Sequence, residues 1–195
     1  MIMKNRFIYF ILILAATLAS CSDSFTDRPS LSGATVSNYY NTADEVRAAT
    51  STIYSGLAWS GYEARALDCI GEILSGNEQT YNGDDTPFQL ITVSATSVRL
   101  SDAWKAFYKI NGWTSSLIAT FEQKIADGGD AAILEPAIAE CHFLRGTVYF
   151  YIARIWGHAP IVTNPGAIAL TGDFNIPRYY QNDVLRFALE ELQLA

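Results

Sequence analysis

From residue 42 onward apolar side chains return every three or four positions, and strand-like alternation is scarce. A chain patterned this way buries its apolar stripes by laying helix against helix. Thr42 with Glu45 three residues on is a capping box, and Val46, Ala49, Ile53 and Leu57 then share one face, which predicts a helix over 43–58. Residues 62–75 repeat the pattern with Ala66, Ile70, Ile73 and Leu74 and stop at Gly76-Asn77. The two helices are expected to form a hairpin that turns at Ser60-Gly61. Ser101 is placed to cap a long helix whose stripe of Trp104, Phe107, Tyr108, Leu117, Ile118, Phe121 and Ile125 ends at Gly128-Gly129. Asn111 falls in the middle of it, where an amide needs a partner. From Pro136, tolerated in a first helical turn, a fourth helix runs to Trp156 with Ile138, Cys141, Leu144, Val148, Tyr149 and Ile152 facing one way. Gly157 stops it and Pro160 prevents its resumption. A short extended piece, Ile161-Val162, leads through Pro165 and Gly166 to Pro177, and Asn182 or Asp183 caps a last helix carrying Val184, Phe187, Ala188 and Leu192. No element follows to cover Phe187, Ala188 and Leu192, so these are expected to be exposed. The expected class is all-α.

The leading residues read as an address rather than as part of this fold. Lys4 and Arg6 precede an unbroken apolar run from Phe7 to Leu14, too short to span a bilayer, which takes about 20 residues. Leu18-Ala19-Ser20-Cys21 looks like a bacterial lipobox, in which small residues admit a peptidase and the cysteine sulfur takes a diacylglycerol. The expected organisation is a lipoprotein signal peptide over 1–20, a lipidated linker over 21–36 and a helical domain over 37–195. A multi-chain lipid anchor holds a soluble domain at a membrane surface. Ser22, Asp23, Ser24 and Asp27 resemble the short acidic tract that marks export to the outer face of the outer membrane in Bacteroidetes-type lipoproteins; an ordinary solvated tether is the other reading.

Charge narrows the partners. Thirteen Lys and Arg against twenty Asp and Glu give a net charge of −7, which argues against nucleic acid, whose backbone requires a basic face. Three cysteines and two histidines supply too few soft ligands for a zinc site of known spacing, so neither a metal nor another cofactor is expected. His142 and His158 read as structural histidines; Cys69 and Cys141 could pair in an oxidising compartment, but among apolar helical neighbours they read first as buried free thiols. Trp59, Trp104, Trp113 and Trp156 could stack on sugar rings, but on helices they read first as core. Residues 76–100 break the helical pattern with Gly76, Asn77, Asn82, Gly83, Asp84, Asp85 and Pro87. Loops of this length inside compact domains are usually functional or disordered, and this one carries Tyr81, Asn82, Asp84 and Phe88 close together. An aromatic face with amide and carboxylate neighbours suits sugar rings and their hydroxyls, so these four are the candidate ligand-binding residues. Asp84, Asp85 and Glu78 could instead offer hard oxygens to calcium, with a solvated loop the simpler reading. Glu72 and Glu78 could be imagined as a glycosidase pair, but no catalytic set can be assembled from sequence.

The run Ala139-Glu140-Cys141-His142-Phe143-Leu144-Arg145-Gly146-Thr147-Val148-Tyr149-Phe150, followed by Trp156-Gly157-His158-Ala159-Pro160-Ile161-Val162, resembles the hallmark helix and turn of SusD/RagB outer-membrane nutrient-binding lipoproteins. In that family the helix reads roughly A-E-A-x-F-L-R-A-x-x-Y-F and the turn G-D-x-P-L; Gly146 stands here for the usual Ala, and His158 for the Asp. Ile176-Pro177-Arg178 with Asp183-Val184, and Trp104 with Tyr108, Ile110 and Asn111, are similar to further family segments. The resemblance covers essentially the whole mature chain as an N-terminal portion, since family members are commonly far longer. It implies tetratricopeptide-like helical hairpins with long loops in an incomplete α-superhelical domain. It also implies a surface lipoprotein of the outer membrane, anchored through Cys21, that performs no covalent chemistry. Such a protein binds oligosaccharide, or in some members peptide, and passes it to a SusC-like TonB-dependent transporter. An anchored polysaccharide hydrolase and a purely structural lipoprotein are the readings from other classes. Gly146 and Tyr149, three residues apart, are expected to let a neighbouring helix approach closely while the ring fills a groove.

Overall fold

The computed structural model describes residues 38–55 and 59–195. The chain divides at Tyr39/Tyr40 into two units. Of the leading one only Asn38 and Tyr39 are described, in a turn; the expected signal peptide, linker and Cys21 lie outside the described residues. In the 40–195 unit the class is all-α: seven helices and one two-residue ladder among the described residues.

Helix α1, Ala43–Ile53, starts at the expected capping box, with Thr42 Oγ1 accepting from the Glu45 amide and Glu45 accepting from the Thr42 amide. Its hydrogen bonds from the Asn41 and Thr42 amides hold the Glu45 carboxyl below its ordinary pKa. The helix ends five residues short of expectation because the Trp59 indole N–H donates to the Ile53 carbonyl (3.0 Å), taking the acceptor that a further turn would need. Leu57 is outside the described residues. Helix α2 spans Ala66–Asp68 and continues in π-helical geometry over Cys69–Ile73, while the expected start, 62–65, is a series of turns. Gly61 lies so close to a neighbouring backbone that a Cβ there would sit 2.6 Å from the Asp102 carbonyl oxygen.

Helix α3, Thr86–Gln89, falls inside the segment expected to be loop, and α4, Val98–Ala126, begins three residues before Ser101. Helix α5, Ala131–Trp156, begins five residues before Pro136. There Asp130 Oδ1 accepts from the Ala132 amide (3.0 Å) and nucleates the helix, so Pro136 rides in its second turn. Gly157, at φ 74°, ends it as expected. Strand β1, Ala159–Pro160, pairs antiparallel with β2, Arg178–Tyr179, so the extended geometry falls just before the expected Ile161-Val162. Between them lies an unforeseen helix, α6, Pro165–Thr171: Asn164 Oδ1 caps it through the Ala167 amide (2.9 Å) and Pro165 supplies the preset φ of a first position. Helix α7, Gln181–Gln193, starts after Tyr180, which places Asn182 and Asp183 inside the first turn rather than at the cap.

Helices α4, α5 and α7 build the main core, where Phe107, Ile110 and Ile118 meet Cys141, Leu144, Val148 and Ile152, and Val184 and Ala188 pack from α7. A smaller cluster of Val46, Phe121, Leu134 and Ala137 seats α1 on α4 and α5. Ala188 is buried and Phe187 stands edge-on to Tyr149 at 4.9 Å, so the face of α7 expected to be exposed is covered by α5; Leu192 alone of the three is exposed. That cover depends on Gly146, where a Cβ would lie 2.8 Å from Leu192 Cγ and 3.0 Å from the Ala188 carbonyl oxygen. The expected close approach is therefore made by α7. Trp59 is buried, and Trp104, edge-on to Trp156 at 5.1 Å, joins Trp113 against the same core.

Two buried polar networks fix the segments that pack on α4 and α5. Glu191 of α7 receives the Arg145 guanidinium through both carboxylate oxygens, with Nη2 to Oε1 at 2.9 Å, and lies 2.8 Å from His142 Nδ1. A buried guanidinium is tolerable only when paired in this way. The segment after α5 is strapped by three helix side chains. The Tyr108 hydroxyl donates to the Pro160 carbonyl (2.7 Å), Asn111 Nδ2 to the Val162 carbonyl (2.9 Å), and the Val162 amide to the Tyr149 hydroxyl (2.8 Å). Asn111 thus has the partner its position demanded. Cys69 and Cys141 are free and buried, and burial pushes their thiols up to about 11 and about 12.

Candidate functional site

The long loop is built by local polar bonds. After Gly76 (φ 83°) the Asn77 and Glu78 amides donate to the Glu72 carbonyl, at 2.9 and 3.3 Å, which turns the chain back across the end of α2. The Thr80 amide donates to Gln89 Oε1 (3.0 Å), tying the loop to α3. Asn82 Oδ1 accepts from the Asp84 amide (2.9 Å), an Asx turn, and the Asn82 carbonyl accepts from the Thr86 hydroxyl. Arg99 of α4 pins the far side, with Nε 2.6 Å from Asp85 Oδ1 and Nη2 4.0 Å from Asp84 Oδ2. The acidic pair therefore faces a guanidinium, which fills the place the calcium reading gave to a cation.

Of the four residues expected to meet ligand, three stand on the loop surface and one does not. The Tyr81 ring is 92% exposed, and Asn82 and Asp84 are exposed beside it, although the Asn82 amide oxygen is occupied by its own turn. Phe88 is 1% exposed, packed on Cys69 and Ile73, because α3 turns it inward. It is turned away from the loop surface and holds the loop down instead.

What the sequence reasoning missed is the neighbouring polar set. A hollow of about 420 Å³ opens between the end of α2 and α3. Its walls carry Asn77, Glu78, Gln79 and Gln89, with the buried Ile73 beneath and the exposed Ile91 at the edge. Amides and a carboxylate supply both donors and acceptors, which is what a ring of hydroxyls needs. Thr86-Pro87 was the available signal for α3, and with it for Gln89. Ile91, exposed and at φ 55°, holds a left-handed conformation that a β-branched residue rarely adopts. Strained positions of this kind gather at binding sites.

Elsewhere, His142 is buried against Glu191 as a structural histidine, and the exposed His158 stacks edge-on to Tyr180 at 5.1 Å. No helix among the described residues is long and apolar enough to cross a membrane.

No family model matches the chain. A SusD-like protein of Bacteroides ovatus is 31% identical over 190 residues, covering 95% of this chain and 34% of that protein. A SusD-like protein of Formosa agariphila is 26% identical over 208 residues, covering 98% of this chain and 37% of the relative. The chain thus spans about a third of the length of the curated relatives it matches. Among solved structures, one determined with a xylogluco-oligosaccharide superposes at a TM-score of 0.66 with 28% identity, over 77% of this chain and 29% of its own. A SusD superfamily protein of Bacteroides vulgatus superposes at 0.68 with 20% identity, over 80% of this chain and 34% of its own, a likeness of fold.

Proposed function

We propose that this chain, which over the portion it spans belongs to the SusD/RagB family, is part of a cell-surface lipoprotein that binds oligosaccharide and passes it to a SusC-like TonB-dependent transporter. Cys21 carries the lipid that holds it at the outer membrane, and no bond of the ligand is made or broken. The observation that carries the reading is the 28% identical neighbour determined with a xylogluco-oligosaccharide. The loop adds a physical basis: the exposed Tyr81 ring offers an apolar face, and Asn77, Glu78, Gln79 and Gln89 offer hydrogen-bonding groups in the adjoining hollow.

Calorimetric titration of the chain with xylogluco-oligosaccharides and other plant and host glycans tests this. A saturating ligand is expected, recovered intact on product analysis. Tyr81→Ala should weaken it several-fold, in keeping with about 0.5–1.5 kcal/mol for a lost aromatic contact. Cleaved glycan would move the protein to the hydrolase class, binding of peptide alone would move it to the peptide-binding members, and unchanged affinity in the variant would remove this loop as the site.

A further inference from the structure

A second hollow, of about 630 Å³, lies on the other side of Leu74 and Ile91, between α2, the start of α4 and the end of α5. Its chemistry is unlike that of the loop. Ile70, Leu100 and Ile155 line it, and the exposed Leu74 and Ile91 stand at its rim. A sugar would leave its hydroxyls unmatched against so aliphatic a wall, and that desolvation is costly. The volume lies within the range of small-molecule sites.

Its polar side chains are one guanidinium and two phenols. Arg154 is the single charged residue of the lining, in a chain whose net charge is −7, and no carboxylate lines the hollow with it. Its guanidinium lies 5.4 Å over the Phe150 ring and has no ion-pair partner among the described residues. Tyr62 and Tyr151, ring to ring at 5.3 Å, add two phenol hydroxyls. Burial, with Tyr151 and the Glu63 carboxylate nearby, pushes the Tyr62 hydroxyl up to about 12 against the pull of Arg154. A cation with two hydroxyl donors above an aliphatic wall matches one anionic head on one apolar body.

We propose that this groove binds an amphipathic carboxylate, with its apolar body along Ile70, Leu100 and Ile155 and its carboxylate at Arg154, Tyr62 and Tyr151. The site is separate from the oligosaccharide reading and uses none of the hydrogen-bonding residues of the loop hollow.

Fluorescence titration of the chain with 11-(dansylamino)undecanoic acid and with its methyl ester tests this. The acid should bind saturably at one site, and the ester about tenfold more weakly, since it forfeits the charge-assisted bonds. Arg154→Gln should weaken the acid by the same factor and leave the ester unmoved, while Arg154→Lys should recover part of the loss. Leu74→Asp should weaken both probes, and helicity by circular dichroism should match the parent in every variant. Equal affinity for acid and ester, or an unchanged affinity in Arg154→Gln, would reduce the groove to apolar adsorption and overturn the assignment. Absence of saturable binding would overturn it too, and self-association on sedimentation would then point to a second copy as the occupant. Oligosaccharide affinity measured on the two Arg154 variants, which lie outside the loop hollow, should not change, and this keeps the two sites' outcomes apart.

Discussion

At Gly146 two effects of opposite sign meet. Alanine there would gain about 1 kcal/mol of helix propensity. Its Cβ would also press within 2.8 Å of Leu192 Cγ and 3.0 Å of the Ala188 carbonyl oxygen, and overpacking of this kind costs about 1–3 kcal/mol. A backbone carbonyl yields only if α7 moves, so the clash wins. Gly146→Ala should lose up to about 2 kcal/mol in urea unfolding, and a more stable variant would mean that α7 rides further out. The two buried thiols act at the same scale. Burial raises Cys69 to about 11 and Cys141 to about 12, so above pH 9 an unfolded thiol gives up its proton before a folded one does. Their contribution is therefore present below about pH 9 and is lost as pH climbs toward 11 to 12. In a Cys21→Ser background the unfolding midpoint should fall between pH 8 and 10.5, and it should fall less once Cys141→Ala removes the most shifted thiol.

At the scale of elements, the segment after α5 is held by side chains rather than by a sheet. Its ladder is two residues long on each side, too short to place residues 160–162 alone. Tyr108 and Asn111 from α4 and Tyr149 from α5 supply the missing bonds. This explains why a helix of the A-E-x-x-F-L-R type is followed so closely by its G-x-x-P turn: Tyr149 is both the ring that packs on Phe187 and the acceptor for Val162. Tyr149→Phe keeps the ring and orphans the Val162 amide. It should cost about 1–3 kcal/mol, the penalty of one unmatched polar group, and should speed hydrogen exchange at Val162 while leaving mid-α5 amides protected. Unchanged exchange at Val162 would show that the ladder, not the tyrosine, holds the strap.

At the scale of the molecule, a chain of net charge −7 with an apolar leader ending in Leu18-Ala19-Ser20-Cys21 is expected to reach a membrane surface through lipid and not through charge. Metabolic labelling with an alkyne fatty acid should mark the wild-type chain and miss Cys21→Ala, which should also leave the membrane fraction. Equal labelling of the variant would refute lipidation at that cysteine. The placement of the hollows adds a second whole-molecule feature, because the polar hollow and the aliphatic groove share Leu74 and Ile91. One strained residue thus stands between two surfaces of opposite chemistry.

The helical class, the capping box at Thr42, the stops near Gly128 and at Gly157 and the need of Asn111 for a partner were all legible in the sequence. Each depends on energies exchanged within about four residues along the chain. The close approach at Gly146 was legible as a possibility, because a missing side chain in a long apolar stripe leaves room for a neighbour. Which neighbour takes that room was not. Arg145 meets Glu191 across 46 positions and Asn111 meets Val162 across 51, and no local pattern pairs residues so distant. The candidate site divided along the same line. Tyr81 remained on the surface as its loop setting implied, whereas Phe88 went into the core because a one-turn helix carried it there. The hollow formed by Asn77, Glu78, Gln79 and Gln89 exists because the Glu72 carbonyl turns the loop back over α2 and Phe88, packed on Cys69 and Ile73, seats α3 beside it. Propensity sets where elements begin and end, but the burial of one face against a particular partner decides which side chains are left to meet a ligand.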